Sequence, residues 1–324
     1  MSIGKQIALG VIALVVLVIV LCVYIVWREP LALSAYLERR ALKDSGFIKT
    51  AIETPGGRMI IWEAGQGPVL VFLHGAGDQA GVWSKAAPAF ATKYHVILPD
   101  QPGHGESEPA SGPLPMGTIL GGLEALLQTR GTDQPVVLVG NSMGAWVAML
   151  YAHRHPERVA RIVLVDGGGL RWNNPQYSLT PASREEARKL INALMDPGSP
   201  AVPDFVLDDV IRTAHSGPIS RLFATGADLE RFLLDGKLGE IKIPAEILWG
   251  ESDKLIPLDY SRRMQAELPA ARLTTIPRCG HIPGRECPIA FQSALEKLLS
   301  QPPPEFRLAP EAPAVKSPAK PNRP

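Results

Sequence analysis

The chain has 324 residues, a length that fits one α/β domain of about 250 residues with extensions at both ends. Its 33 basic and 32 acidic side chains give a net charge of +1, which favours neither nucleic acid nor strongly acidic partners. The sequence has no GxxxxGKS/T phosphate loop, and Cys279, His281 and Cys287 lack the further ligands of a closed zinc site. We therefore expect no cofactor, no metal and no obligate protein partner.

The N-terminal region contains a long apolar run. Residues 1–6 form a short flank, and the 21 residues 7–27 contain no charged side chain. As a helix this run would measure about 31 Å, close to the hydrocarbon thickness of a bilayer, and it predicts a retained transmembrane anchor. A cleaved secretory signal is the alternative, with Lys5 as its basic start and residues 32–34 as a small-residue site. The run is, however, longer than the usual apolar core of about 7 to 15 residues in such signals.

The charges that flank the apolar run indicate its orientation. Before the run lie Lys5 and the α-amino group, and after it, in an expected linker of residues 28–46, lie Arg28, Arg39, Arg40 and Lys43. The larger number after the run predicts a single-pass membrane protein with its catalytic domain on the cytoplasmic side. The three cysteines, Cys22, Cys279 and Cys287, form no recognisable disulfide framework, which agrees with a reducing compartment.

A glycine-rich loop follows the first strongly apolar strand. The run 69–73 predicts a buried strand, and His74-Gly75-Ala76-Gly77-Asp78 comes directly after it. Glycines allow a backbone to approach a substrate closely, so the backbone amides of this loop are candidate hydrogen-bond donors. We expect His74 itself to pack within the loop.

The most informative stretch is Val139-Gly140-Asn141-Ser142-Met143-Gly144-Ala145, which places a serine between two glycines. The residues before it, 136–139, predict a buried strand, and residues 145–151 predict a helix. A serine at such a corner adopts a strained backbone, and small neighbours let the adjacent segments approach. The pattern predicts a nucleophile elbow with Ser142 as the nucleophile.

A serine nucleophile needs donors that stabilise the oxyanion formed on attack. The expected donors are the backbone amide of the residue after the nucleophile and an amide from the loop after the third strand. These amides belong to Met143 and Ala76, with Gly75 as the second candidate in that loop.

The nucleophile also needs a base and an acid that orients the base. The strand-like run 245–250 is followed by Asp253, our candidate acid, and the run 272–276 is followed by a turn that contains His281, our candidate base. Asp166, which ends the run 162–165, is the competing acid. We expect two further carboxylates, Glu251 and Asp259, to be solvated loop residues.

Two regions differ in composition from the rest. Between residues 167 and 240, helical stretches are interrupted by prolines, and the aromatic side chains there could face an acyl chain or pack this region on the core. These aromatic residues are Trp172, Tyr177, Phe205, Phe223 and Phe232. Residues 301–324 contain eight prolines and few apolar side chains, which predicts a disordered tail.

With these segments in order, the chain resembles the α/β-hydrolase superfamily from about residue 47 to residue 300. The resemblance rests on four motifs in sequence: His74-Gly75-Ala76-Gly77, the loop 99–107, the elbow, and the pair Gly250-Glu251-Ser252-Asp253 and Gly280-His281. It implies a mostly parallel sheet flanked by helices, with residues 47–166 and 241–300 as the core and 167–240 as an inserted helical cap. It also implies that loop 99–107 is structural, with His104 as a packing or hydrogen-bonding residue. Asp166 stays open as the acid because some members place it one strand earlier.

The leading interpretation is a membrane-anchored serine hydrolase that cleaves carboxylic esters, similar to monoacylglycerol-lipase-like esterases. His281 would take the proton of Ser142, Asp253 would hold the imidazole, and an acyl-enzyme would form on Ser142. The anchor favours lipid esters as substrates.

Three alternatives stay open. The elbow Gly-Asn-Ser-Met-Gly also resembles that of carbon–carbon bond hydrolases of ring-fission dienoates, which usually have tryptophan after the histidine where this chain has Ile282-Pro283. A cofactor-free perhydrolase would use the same triad. The third alternative is a noncatalytic hydrolase fold that serves as a receptor or membrane scaffold. Such proteins usually lack part of the triad, whereas every member of the triad has a candidate here.

Overall fold

The computed structural model describes residues 2–130, 134–171 and 176–306. Trp172 and residues 307–324 of the expected tail lie outside the described residues. The strands are β1 (Ile48–Thr54), β2 (Gly57–Ala64), β3 (Val69–Leu73), β4 (His95–Pro99), β5 (Val136–Asn141), β6 (Val159–Val165), β7 (Ala245–Gly250) and β8 (Ala271–Ile276). The helices are α1 (Ile3–Arg28), α2 (Pro30–Asp44), α3 (Met116–Arg130), α4 (Met143–Arg154), α5 (Arg184–Leu194), α6 (Asp204–Ala214), α7 (Pro218–Phe223), α8 (Ala227–Glu230), α9 (Leu258–Glu267), α10 (Pro283–Glu286) and α11 (Pro288–Ser300).

The strands form one 8-stranded sheet in the order β1-β2-β4-β3-β5-β6-β7-β8. Strand β2 pairs antiparallel with β1 and with β4, whereas all other neighbours are parallel. Every residue of β3 and β7 is buried, as expected for strands covered by helices on both faces. The predicted α/β-hydrolase fold with a mostly parallel sheet is confirmed.

Parallel pairing brings the predicted site residues to one edge of the sheet. The carboxyl ends of β3 to β8 lie at the same edge, where open α/β sheets bind their ligands. Residues 74–78 follow β3, Ser142 follows β5, Asp166 follows β6, Asp253 follows β7, and His281 follows β8.

Apolar side chains cover both faces of the sheet. Helices α3, α4 and α9 pack on one face, and α11 packs on the other together with a short 3-10 helix, Ala80–Trp83. The second face also contains Leu42 of α2, which is fully buried. Most of the segment expected as a linker is therefore helical, and Leu42 packs it against the core. Pro30 begins α2 because its fixed φ suits the first helical turn and its missing N–H would interrupt a longer helix.

Among the described residues, α1 is the one helix long and apolar enough to cross a membrane, with a mean hydropathy of 3.4 in its most apolar window. It has 26 residues, enclosing the predicted run 7–27, and none of that window is buried in the protein. A helix of this length spans about 39 Å. Because an N-terminal signal sequence also passes this test of length and composition, the membrane anchor is taken up below as a proposal.

Four helices, α5 to α8, lie between β6 and β7, and together we call residues 167–240 the cap. Arg221 of α7 fastens the cap to the core, since its guanidinium donates to the carbonyl oxygens of Gly103, Pro109, Ser111 and Gly112. The aromatic residues of the cap are placed differently from one another. Phe232 packs against the core, whereas Phe223 is 49% exposed.

Candidate active site

The predicted nucleophile lies at a strained corner between β5 and α4. Ser142 has φ 52° and ψ −113°, a conformation that L residues rarely adopt. The corner is held by the Ser142 amide, which donates to Val165 O at 2.9 Å. A Cβ on Gly140 would lie 2.3 Å from Gly144 C, and one on Gly144 would lie 2.2 Å from Leu73 O. Both glycines of the motif are therefore required by close backbone packing.

Asn141 ties the elbow to the loop that carries the predicted base. Its Nδ2 donates to His281 O at 2.9 Å and to Val165 O at 3.1 Å. The side chain is buried, 3% exposed, so both hydrogen bonds are shielded from water. The sequence analysis did not predict this contact, because the two residues are 140 positions apart.

The structure brings the predicted acid and base into direct contact. His281 Nδ1 lies 2.7 Å from Asp253 Oδ2, and both side chains are buried. The other carboxylate oxygen, Oδ1, accepts from the Ile256 amide at 3.0 Å, which fixes the plane of the carboxylate. With Nδ1 donating to Asp253, Nε2 of His281 is the nitrogen left to accept a proton. Ser142 is half-buried, and its hydroxyl makes no hydrogen bond to any described residue.

The competing acid, Asp166, lies beside this pair but is engaged differently. Its Oδ1 accepts from the Gly250 amide at 2.8 Å, and its buried Oδ2 has no partner among the described residues. Burial, reinforced by the negative charge of Asp253, holds the pKa of Asp166 well above its ordinary value. Ligand atoms of Asp166, Asp253 and His281 lie within 4.8 Å of one another. Within this cluster, Nδ1 of His281 and Oδ2 of Asp253 are already joined by the hydrogen bond of 2.7 Å.

The raised pKa of Asp166 predicts how its replacement alters stability with pH. In the unfolded chain the Asp166 carboxyl ionises at about pH 4, whereas in the folded protein it stays protonated to higher pH. Unfolding above that pH therefore releases a proton. The free energy of unfolding then falls as the pH rises, until the folded-state pKa is reached. Asn resembles the neutral acid and keeps an acceptor for Gly250. Relative to the wild type, Asp166→Asn should therefore gain free energy of unfolding as the pH rises above about 5, measured by urea titration at a series of pH values. A difference between Asp166→Asn and the wild type that stays constant over this pH range would contradict the raised pKa of Asp166.

The loop after β3 presents its backbone beside the elbow. A Cβ on Gly75 would lie 3.3 Å from Ser142 Cβ, so the loop lies against the predicted nucleophile. Nδ1 of His74 donates to Gly75 O at 2.8 Å, while Nε2 accepts from the Gln101 amide at 3.0 Å. In a planar trans peptide the Ala76 N–H points opposite to the Gly75 carbonyl, so His74 orients that N–H. The amides of Ala76 and Met143 donate to no described residue and are free for a ligand.

The loop 99–107 supports the loop after β3, as the sequence resemblance implied. Asp100 is fully buried and accepts from the Ala80 and Glu106 amides at 2.8 and 2.9 Å. His104 Nδ1 donates to Pro102 O at 3.0 Å, and burial lowers the pKa of His104 to about 3. A neutral, buried imidazole with this contact agrees with the predicted packing role.

A disulfide joins Cys279 to Cys287, and this corrects the expectation that the cysteines form no cross-link. Helix α10 turns the chain back after His281, so the two Cα atoms lie 5.9 Å apart although 8 positions separate them. The disulfide closes a short loop that contains the predicted base. Spacing alone did not indicate the pairing, because it depends on the direction that the chain takes at Pro283.

Reduction of this disulfide should lower stability by a measurable amount. Closing a loop of this length restricts the unfolded chain by about 2.5 kcal/mol in the chain-entropy relation. We expect the free energy of unfolding in mild detergent to fall by roughly that amount when dithiothreitol is added. The Cys279→Ala/Cys287→Ala variant should not respond to the reductant. If dithiothreitol lowers the free energy of unfolding of this double variant equally, the effect does not come from the Cys279–Cys287 disulfide.

The cap meets the predicted base through Glu286. Its Oε1 accepts from the Asp196 amide and from Ser199 Oγ, both at 2.6 Å, while Oε2 accepts from the Gly280 amide at 2.6 Å. In addition, the His281 amide donates to Leu194 O at the end of α5, at 2.7 Å. The His281 loop is thus held from the cap side as well as from the elbow.

Comparison with known proteins identifies the family. The model of the alpha/beta hydrolase family matches residues 70–293. The chain belongs to the alpha/beta hydrolase family. A 2-hydroxy-6-oxo-6-phenylhexa-2,4-dienoate hydrolase from Burkholderia cepacia is 30% identical over 247 residues, which cover 69% of this chain and 85% of the relative. The predicted family is therefore confirmed, and carbon–carbon bond hydrolases are among its relatives.

Solved structures with similar folds include lipid and serine hydrolases. A membrane phospholipase A described as a bacterial virulence factor has a TM-score of 0.69 at 24% identity, covering 92% of this chain and 100% of its own. A serine hydrolase from the polyaromatic-hydrocarbon-degrading bacterium Cycloclasticus zankles has a TM-score of 0.66 at 26% identity, covering 78% of this chain and 98% of its own. At 24% identity, the likeness to the phospholipase concerns the fold alone.

Proposed function

We propose that this member of the family is a serine hydrolase of carboxylic esters. The observation that carries the proposal is the buried Asp253–His281 pair beside the strained elbow of Ser142. Asn141, next to Ser142, donates a hydrogen bond to the carbonyl oxygen of His281 and so connects the elbow to this pair. The free amides of Ala76 and Met143 lie at the same edge of the sheet and supply two donors for an oxyanion.

The proposed reaction follows from these positions. His281 Nε2 removes the proton of Ser142 Oγ as the oxygen attacks the ester carbonyl carbon, and the amides of Ala76 and Met143 bind the resulting oxyanion. The carbon–oxygen bond to the alcohol then breaks, and His281 returns the proton to the departing alcohol. Water, deprotonated by His281, attacks the acyl-enzyme and releases the carboxylic acid with Ser142 restored. Asp253 stabilises the imidazolium in both halves and stays ionised.

We propose lipid esters as the substrate class and a membrane as the place of action. Helix α1 has 26 residues and exposes large apolar side chains from Ile3 to Trp27, which suits a single-pass anchor. An anchored hydrolase meets esters that partition into the bilayer, such as monoacylglycerols, at high local concentration.

The side of the membrane is a separate proposal. Flanking charges favour the cytoplasmic side, with Arg28, Arg39, Arg40 and Lys43 after the run against Lys5 and the α-amino group before it. The disulfide Cys279–Cys287 favours an oxidising compartment. We therefore place the catalytic domain outside the cytoplasm. Protease added to sealed right-side-out vesicles should degrade the catalytic domain. Complete protection from the protease would show that the catalytic domain lies on the cytoplasmic side.

Carbon–carbon bond hydrolysis is the second candidate, favoured by the dienoate hydrolase relative and by the elbow Gly-Asn-Ser-Met-Gly. The residues after the predicted base favour esters instead. The resembling enzymes usually have tryptophan next to the histidine, where this chain has Ile282. Ile282 is partly buried and packs against the core, and Pro283 begins α10.

Competition between the two substrate types tests the proposal. Purified full-length protein in mild detergent is assayed with p-nitrophenyl butyrate and with 2-hydroxy-6-oxo-6-phenylhexa-2,4-dienoate, and Ser142→Ala is the blank for both. We expect kcat/KM for the ester to exceed that for the dienoate by at least tenfold. A tenfold preference for the dienoate would replace ester hydrolysis with carbon–carbon bond hydrolysis.

A further inference from the structure

One arginine lies between two carboxylates that belong to distant parts of the chain. Nε and Nη2 of Arg285 donate to the two oxygens of Glu38, at 2.8 and 3.1 Å, and Nη1 and Nη2 donate to the two oxygens of Asp78, at 3.0 and 2.8 Å. Both contacts are bidentate, which is the strongest and most directional form of such pairs. We call this arrangement the Arg285 bridge.

The three residues of the bridge come from three elements around the candidate site. Glu38 lies on α2, which follows the apolar helix α1. Asp78 lies two residues after Ala76 in the loop after β3, and Arg285 lies on α10, four residues after His281. The side chains of Glu38 and Asp78 are 15% and 11% exposed, so solvent competes little for either carboxylate.

Further contacts hold Glu38 in this position. Gln79 Nε2 donates to Glu38 Oε2 at 2.7 Å, and the Gln79 amide donates to Asp78 Oδ1 at 2.9 Å. A Cβ on Gly81 would lie 2.8 Å from Glu38 Cβ, so this glycine lets α2 approach the 3-10 helix closely. The N-terminal end of α2 is also held in place. The Leu31 amide donates to Oδ2 of Asp209, a residue of the cap, at 3.0 Å.

We infer that α2 is part of the active-site scaffold and that Glu38, acting through Arg285, is a positioning residue. The bridge fixes the spacing between the loop of the oxyanion donors and the loop of His281. This inference rests on the proposed function. Without Glu38, Arg285 keeps only its contact with Asp78. The loop after β3 and the loop of His281 are then no longer held to α2 through Arg285. Misplacement of reacting groups by about 1 Å costs roughly a hundredfold in rate.

The rate at which a fluorophosphonate labels Ser142 measures this spacing directly, because labelling needs both the base and the oxyanion donors. We expect Glu38→Gln and Arg285→Lys to lower the second-order labelling rate per reactive site by roughly tenfold to a hundredfold. The matched control on the same helix is Asp44→Asn, which loses only the exposed pair with Arg40. It should label at the wild-type rate.

The labelled fraction at the end point separates positioning from general stability. A purely structural role of Glu38 would lower that fraction and leave the rate per labelled site unchanged, which would overturn the inference. Rates within twofold of the wild type in both variants would overturn it as well. In a protein that already carries Arg285→Gln, adding Glu38→Gln should change the labelling rate by less than twofold, since Glu38 has already lost its contact with Arg285. A further tenfold loss there would mean that Glu38 acts by another route.

This design also distinguishes the inference from the proposed function. If the wild type is not labelled, the serine hydrolase proposal fails and the inference fails with it. If the wild type is labelled and the Glu38 and Arg285 variants behave like it, only the inference fails.

Discussion

Ser142→Ala is expected to lower kcat for p-nitrophenyl butyrate by roughly 10⁴-fold or more, because the proposed acyl-enzyme forms on the Ser142 hydroxyl. The substitution removes one oxygen and keeps a Cβ, so the elbow conformation and its hydrogen bond to Val165 O are preserved. Initial rates at saturating ester, with protein concentration set by absorbance, give the measurement.

The control for this loss is Ser300→Ala, an exposed serine at the end of α11. It should keep the wild-type kcat. Thermal unfolding of Ser142→Ala should occur within a few degrees of the wild type. A correctly folded Ser142→Ala protein that retains a tenth of the activity would show that the nucleophile lies elsewhere.

Asp253→Asn should lower kcat by roughly 10³- to 10⁴-fold, because it reverses the hydrogen bond to His281. The Ile256 amide requires an acceptor at the Oδ1 position, so the carboxamide oxygen stays there and its NH₂ group faces Nδ1 of His281. That contact requires Nδ1 to be an acceptor and moves the imidazole proton to Nε2, where it blocks removal of the Ser142 proton. The pH profile of kcat with the ester gives the measurement.

Asp166→Asn is the matched control for the acid, because it makes the same substitution in the neighbouring carboxyl. We expect it to retain kcat within about fivefold, since Asn keeps the acceptor for the Gly250 amide and burial disfavours the charged form of Asp166. The opposite pattern, with a large loss in Asp166→Asn and a small one in Asp253→Asn, would assign the acid to the strand before β7.

Features determined by local sequence were predictable. The glycine pair around Ser142 marks the elbow because backbone contact at Gly140 and Gly144 excludes any side chain. The apolar runs of β3 and β5 to β7 follow from burial on both faces, and the placement of Asp253 and His281 follows from the rule that parallel strands end at one edge.

Features determined by distant contacts were not predictable from one sequence. Glu38 and Arg285 are 247 positions apart, and neither residue type distinguishes a bridging ion pair from a solvated charge. The segment around Glu38 is polar on one side, and Leu42 is the residue of its helix that is buried in the core. The hydrogen bond between Asn141 and His281 likewise depends on the folded approach of β5 and the loop after β8.

The central claim is that Ser142 is an activated nucleophile, and covalent labelling tests it most directly. Full-length protein is treated with a fluorophosphonate at neutral pH, digested and analysed by mass spectrometry. The account predicts one phosphonyl adduct, on the peptide that contains Ser142, and no adduct after Ser142→Ala. A folded wild-type protein whose Ser142 peptide stays unmodified, or an adduct that persists on another residue in Ser142→Ala, would contradict it.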